Sequence, residues 1–316
     1  MEWYIILPII VLSVVFLIFL ISFVCFLLTF YSKKRKTLKD DEFVLYPGKV
    51  YEEFHPKMLS WMKENRKREK EVIKITSFDG LTLYGEYYEC KKGAPIEILF
   101  NGYRGDPERD MSGAIERCFA VNHNVILACQ RACGKSQGHV ITFGVKESKD
   151  CLTWIDYAIH KFGKDVELII GGVSMGGSTV IMAGAMQLPK NVKYILCDCG
   201  FSSQKQIIKK VITKMHLPAW LFYPFIKLGA RIFGGFNLEE NQAVDAVKKI
   251  KIPVIFFHGD SDDFVPFYMA EELYENCNAP KKFVRISGAG HGLAYLKEGE
   301  KYVNFISQFE KENNIF

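Results

Sequence analysis

The chain has 316 residues, 49% hydrophobic and 24% charged, which is enough for one sizeable core plus an appendage and too apolar for a disordered polymer. Its formal net charge of +5 is mostly local: Lys33, Lys34, Arg35 and Lys36 together with Glu2 carry +3 of it, leaving about +2 for the remainder, and a nucleic-acid partner is not expected. The nine cysteines are odd in number and lack repeated spacing, which argues against a disulfide-stapled scaffold and fits free thiols in a reducing compartment; no Asn-x-Ser/Thr sequon is present.

Read from the N-terminus, no charged residue stands between Trp3 and Tyr31. Since about 20 apolar residues cross a bilayer, residues 3–31 are expected to form a transmembrane anchor. A cleaved signal peptide fits less well, because Glu2 replaces a basic n-region, the apolar run is too long, and no small-x-small site follows. The run Lys33 to Lys36 directly after the span puts the rest of the chain on the cytoplasmic side by the positive-inside rule. Residues 32–70 read as a basic and polar juxtamembrane connector. Within it Tyr51, Phe54, Met58, Trp61 and Met62 recur at helical spacing ahead of a charged run, an amphipathic helix expected to pack on the folded domain.

From Glu71 the period changes to two. Two alternating runs, 71–77 and 81–88, flank Asp79-Gly80, the signature of a β-hairpin. Strands are then expected at 96–100, 124–129, 166–171 and 192–198, alternating with helices at 108–121, 145–160 and 175–186. The alternation resumes with a strand at 252–257, a helix at 266–276, a strand at 282–286 and a last helix at 298–312. Alternating strands and helices make an α/β fold, a mostly parallel sheet with helices on both faces, over residues 71–316. The pattern lapses only at about 201–249, a helical insertion rich in aromatic residues. It is expected to form a lid, with Trp220, Phe222, Tyr223, Phe225 and Phe233 as candidates to meet a substrate. Those residues could equally pack a cap's own apolar face, and the lysines around them could face headgroups or water.

The run Leu168 to Gly172 leads through Val173-Ser174-Met175-Gly176 into an apolar helix, a strand, sharp turn and helix that would lift the Ser174 hydroxyl above the sheet. Such a serine needs a base, and a carboxylate to hold the base's tautomer, in the order serine, acid, histidine at successive strand ends. His291, in Gly288-Ala289-Gly290-His291-Gly292, is the only histidine beyond residue 258. Three aspartates follow the strand before it. Asp260 suits loop stabilisation and Asp263 suits a cap on the next helix, so Asp262 is the expected acid; His258 is expected to make structural hydrogen bonds. An oxyanion would be met by the backbone N–H groups of Met175 and of Tyr103, the latter in the loop Asn101-Gly102-Tyr103-Arg104-Gly105. Cys197-Asp198-Cys199 has no companion at ligand spacing, so no metal and no cofactor is expected.

These motifs resemble the α/β-hydrolase superfamily, and within it the serine aminopeptidase, bile-acid acyltransferase-like and cinnamoyl-esterase-like hydrolases. The resemblance covers residues 60–312 and rests on Asp79-Gly80-Leu81, Asn101-Gly102-Tyr103, Gln130-Arg131, Gly172-x-Ser174-x-Gly176, His258-Gly259-x-x-Asp262 and Gly290-His291. The chain departs from it at Asn101, where histidine is usual, and at Cys129 and Cys133, where aspartate and histidine are frequent. Asn101 can still make supporting hydrogen bonds, and neither cysteine belongs to the triad. The resemblance implies a serine hydrolase with an α/β-hydrolase fold, cleaving carboxylic esters of small or lipid-like molecules through Ser174, Asp262 and His291, and the apolar span would anchor it to a membrane. A peptidase, a thioesterase or an acyltransferase of the same fold are the alternatives, followed by a membrane-tethered scaffold without activity.

Overall fold

The computed structural model describes residues 3–33 and 41–316, so Lys34, Arg35 and Lys36 of the basic run lie outside the described residues. The chain opens with α1 (Trp3–Thr29) and the short helices α2 (Lys49–Glu52) and α3 (His55–Lys67). The hairpin β1 (Glu71–Thr76) and β2 (Thr82–Tyr88) follows, then β3 (Ile96–Phe100), α4 (Pro107–Asp110), α5 (Ala114–Ala120), β4 (Asn124–Ala128), α6 (Glu147–Phe162), β5 (Leu168–Val173), α7 (Met175–Gly184) and β6 (Val192–Asp198). The insertion holds α8 (Gln204–Lys214), α9 (Ala219–Ile232) and α10 (Ala243–Ala246). The fold closes with β7 (Val254–Gly259), α11 (Phe267–Asn276), β8 (Lys281–Ile286), α12 (Ala294–Lys297) and α13 (Gly299–Glu312).

The strands form one eight-stranded sheet in the order β1-β2-β4-β3-β5-β6-β7-β8. Pairing is antiparallel through the hairpin and from β2 to β4, and parallel from there on. Residue chemistry follows position. β1 alternates exposed and buried residues, as an edge strand with one wet face must, whereas every residue of β3 and β4 is buried because helices cover both faces of the sheet's middle. The hairpin turn is tied to the sheet by Arg131, whose guanidinium grips Asp79 at 2.9 and 3.0 Å and Asp150 of α6 at 2.7 Å.

One expected helix is broken. Residues 108–121 form α4 and α5 with a kink at Ser112-Gly113, where the Trp61 ring occupies the space that a Cβ at Gly113 would need (2.6 Å). Asn65 of α3 also donates to the Ser112 carbonyl at 2.9 Å. The connector helix thus docks on the domain through Met58 and Met62, both buried, and fixes the kink from outside.

α1 is the one helix among the described residues long and apolar enough to cross a membrane. Its two parts differ. Large apolar side chains from Trp3 to Leu20 are exposed, while Ser22, Cys25, Phe26 and, just beyond the helix, Phe30 are buried in the domain. The carbonyls that a helix C-terminus leaves without intrahelical partners are met here by the domain: Tyr103 donates its hydroxyl to Thr29 O at 2.7 Å, and Arg104 donates to Leu28 O and Tyr31 O at 2.9 and 2.8 Å. Against the same end lies α9, where a Cβ on Gly229 would stand 2.5 Å from Ser22 O.

Candidate active site

Glycines flank the turn from β5 into α7 because it leaves no room there for side chains. A Cβ at Gly172 would stand 2.3 Å from the Gly176 carbonyl carbon, and one at Gly176 would stand 2.0 Å from the Phe100 carbonyl oxygen. Between them Ser174 takes φ 56° and ψ −120°, a conformation that L-residues avoid, and its N–H donates to Asp198 O at 2.8 Å. Three strand ends, those of β3, β5 and β6, therefore meet around this one residue.

His291 reaches the serine from the loop after β8. Its Nε2 lies 2.9 Å from Ser174 Oγ and its Nδ1 lies 2.7 Å from Asp262 Oδ2, so an ionised Asp262 holds the proton on Nδ1 and leaves Nε2 to accept. Asp262, after β7, is buried and fully partnered. Its Oδ1 accepts from the N–H groups of Phe264 and Val265 at 2.9 and 2.8 Å, and His258 Nε2 stands 3.3 Å from Oδ2. Burial pushes this carboxyl up, but the hydrogen bonds from His258 and His291 outweigh it and hold Asp262 well below the usual carboxylate range. His258 itself is buried and bonds the Val265 carbonyl through Nε2 at 2.9 Å, bracing the acid loop.

The neighbouring aspartates have other partners. Asp260 accepts from Gly288 N at 2.6 Å and Arg285 Nε at 2.8 Å, stapling its loop to the one that carries His291. Asp263 does not cap α11, which starts behind Pro266 without a side-chain cap; it is exposed and pairs with Lys214 at 2.9 Å. Cys199 packs beside Asp262 and His291, the three offering ligand atoms within 4.8 Å of one another. Burial and the nearby Asp198 and Asp262 carboxylates push its thiol up, which disfavours the thiolate that would bind a metal.

Met175 is the first residue of α7, so its N–H has no partner within the helix and opens beside the serine. The loop bearing Tyr103 passes close by: a Cβ at Gly102 would lie 3.5 Å from Ser174 Cβ. Asn101 holds that loop. It is buried, donates to Gly102 O at 2.9 Å, accepts from Gln130 N at 3.1 Å, and its carbonyl accepts from the Gln130 amide.

A cavity of about 360 Å³ opens at Ser174 and His291. Its walls include Val50, Tyr51 and Met58 of the connector, with Met111, Phe264 and Leu293. Tyr51 donates to the His291 carbonyl at 3.1 Å. The connector as a wall of this cavity was not foreseen from sequence, although the helical spacing of Tyr51 and Met58 marked the face involved. The expected lid residues lie elsewhere. Trp220 is exposed, Phe222 and Phe225 are half-buried, Tyr223 is buried and donates to Glu239 at 2.8 Å, and the Phe233 ring packs 4.8 and 5.0 Å from those of Phe19 and Phe23 on α1. None of the five borders this cavity.

Asp198 also lines the cavity and was unassigned by sequence reasoning. It is buried, accepts from Tyr302 OH at 3.0 Å through Oδ2, and its Oδ1 has no partner among the described residues. Burial raises its carboxyl to about 6, against the lowering effect of the Tyr302 hydrogen bond and of the nearby Arg117 guanidinium.

Comparison with known proteins bears on the family and the fold. The sequence pattern of the prolyl oligopeptidase family matches residues 142–314, more than half of the chain. Among curated proteins, YqkD of Bacillus subtilis is 25% identical over 187 residues, 59% of this chain and 61% of that protein, so the match spans less than two thirds of YqkD. Protein bem46 of Schizosaccharomyces pombe is 27% identical over 253 residues, 78% of each chain. Among solved structures, an esterase of Pyrococcus furiosus superposes with a TM-score of 0.65 at 21% identity, over 89% of this chain and 98% of that one. Est1E of Butyrivibrio proteoclasticus, solved with ferulic acid bound, gives 0.57 at 21% identity, over 76% and 98%. At such identities the structural likeness speaks for the fold, which is that of the α/β-hydrolases.

The Asp198 environment yields a pH-dependent prediction. A carboxyl whose pKa is raised from 3.8 to about 6 on folding binds more protons in the native than in the unfolded state between those two values, so its cost to stability is absent at low pH, grows across that window and is complete above about 6. Asp198→Asn removes that cost while keeping an acceptor for Tyr302. Chemical denaturation should find the variant more stable than the parent by about 1–3 kcal/mol at pH 7.5, with the difference shrinking towards pH 4. A variant less stable at both pH values would contradict the assignment of the strain to the buried charge.

Proposed function

The chain belongs to the prolyl oligopeptidase family, and from that premise we propose that it is a membrane-anchored serine hydrolase that cleaves carboxylic esters through an acyl-enzyme on Ser174. The observation that carries this reading is the hydrogen-bonded run from Ser174 Oγ through His291 to a fully partnered Asp262 beside a cavity of about 360 Å³. His291 Nε2 takes the hydroxyl proton as Oγ attacks the ester carbonyl, and the N–H groups of Met175 and Tyr103 meet the developing oxyanion. The imidazolium, stabilised by Asp262, then protonates the departing alcohol. Water, deprotonated by His291, releases the acid. No step calls on a cofactor or a metal.

The cavity supports small or medium acyl groups: about 360 Å³ lies at the low end for ligand sites, and most of the lining named above is aromatic or aliphatic. Ferulic acid bound to Est1E, a protein of the same fold, is in that size class. A peptidase is the second reading, favoured by the family match itself. Side-by-side turnover of p-nitrophenyl esters and aminoacyl p-nitroanilides separates the two. We expect ester hydrolysis that favours short and medium chains and falls about 10³-fold or more in Ser174→Ala. Amide turnover without ester turnover would replace this reading with the peptidase, and ester turnover indifferent to Ser174→Ala would remove both.

We further propose that α1 crosses a membrane with the hydrolase domain on the cytoplasmic face. The charge-free span, its exposed apolar side chains and the basic run that follows support this. Protease added to sealed cells should leave the domain intact and digest it after permeabilisation; digestion in sealed cells would reverse the orientation.

A further inference from the structure

α9 exposes the wrong chemistry for water. Along its 14 residues, Leu221, Phe225, Leu228 and Ile232 recur at helical spacing as one outward stripe, with Leu221, Leu228 and Ile232 exposed at 41%, 36% and 47%. Its inward residues, Tyr223, Ile226, Gly229 and Ala230, are already buried against the domain and α1. The adjoining outward row is Trp220, Pro224, Lys227 and Arg231, and α9 contains no acidic residue. Lys227 pairs with Glu239 at 2.7 Å, and an apolar stripe bordered by an indole and by Arg231 is the pattern of a helix lying in the interface plane of a bilayer, with the guanidinium reaching back to the headgroups.

The height of α9 along α1 points the same way. From Trp3 to Leu20 the exposed side chains of α1 cover 18 residues, roughly 27 Å at the α-helical rise, which falls short of a hydrocarbon thickness of about 30 Å. Beyond Leu20, Phe23, Val24, Leu27 and Leu28 are exposed as well. The hydrocarbon therefore has to reach past residue 21. At that level α9 is already present, with the Phe233 ring on Phe19 and Phe23 and Gly229 against Ser22 and Phe26.

We propose that the outer stripe of α9 is immersed in the bilayer that α1 crosses, so that the insertion is a second membrane contact and the domain cannot swing on its anchor. This rests on the reading of α1 as a membrane span. The occupant of the stripe is lipid hydrocarbon, because the stripe is continuous with exposed apolar surface on α1 that only hydrocarbon covers. The consequence is positional: Tyr103 and Arg104, in the loop beside Ser174, clasp the end of α1, so the cavity is held at a fixed height above the lipid surface.

Tryptophan quenching tests it on the full-length chain in phosphatidylcholine vesicles whose acyl chains carry bromine. In a Trp3→Phe, Trp220→Phe background, Ile232→Trp adds an indole at an exposed position outside the catalytic machinery, and Ser174 labelling by a fluorophosphonate reports that the domain is folded. The added emission should be quenched by bromolipid and spared by aqueous iodide. Quenching by iodide would overturn the proposal, and so would protection from both quenchers, which would mean that a protein covers the stripe. In Trp220→Phe alone, Trp3 serves as the reference for α1. If Trp3 is quenched by bromolipid and the indole added at position 232 is not, the anchor stands and this proposal falls; if neither is quenched, the membrane reading falls with it.

Discussion

The contact of Gly176 with the Phe100 carbonyl is the constraint from which the rest of the site follows. With a Cβ at either Gly172 or Gly176 too close to backbone by more than 1 Å, only a glycine pair lets β5 turn into α7 at this point. The turn leaves Ser174 in a conformation that costs on the order of 1–3 kcal/mol. What sustains it is the packing around it: α7 is buried along its whole length, and the Ser174 N–H is held by the end of β6. The elbow is thus strained locally and fixed globally, and the Ser174 hydroxyl has a set direction before any substrate arrives.

Two carboxylates near the serine have opposite fates, and hydrogen bonding decides which. Asp262 and Asp198 are both buried at strand ends. Asp262 receives two backbone N–H groups and stands within reach of two imidazoles, so its charge is stabilised despite desolvation. Asp198 receives one phenol, and its other oxygen meets no donor among the described residues, so desolvation wins. Asp262, whose Oδ2 lies 2.7 Å from His291 Nδ1, is the one placed to hold the imidazolium that the proposed chemistry forms.

Much of this was legible in the sequence. Strands with continuous apolar runs gave away the buried middle of the sheet, and the glycines around Ser174 marked a close approach to backbone that the geometry bears out, whereas those beside His291 meet only side chains. The supporting role expected of Asn101 is met by its bonds to Gly102 and Gln130. Three features were illegible for one shared reason: they depend on contacts between distant segments. Tyr51 meets the loop of His291 across 240 residues. The break between α4 and α5 is imposed by Trp61 from another helix. Aromatic residues of the insertion read alike whether they face a substrate, a core or a neighbouring helix, and here Phe233 faces α1.

The central claim is that Ser174 is a nucleophile made reactive by His291 and Asp262. The most direct measurement is the site and rate of covalent capture by a fluorophosphonate, read by peptide mass on the full-length protein. The account predicts a single adduct on the peptide bearing Ser174, lost in Ser174→Ala and strongly slowed in His291→Ala. An adduct elsewhere, or labelling unchanged in Ser174→Ala, would contradict it.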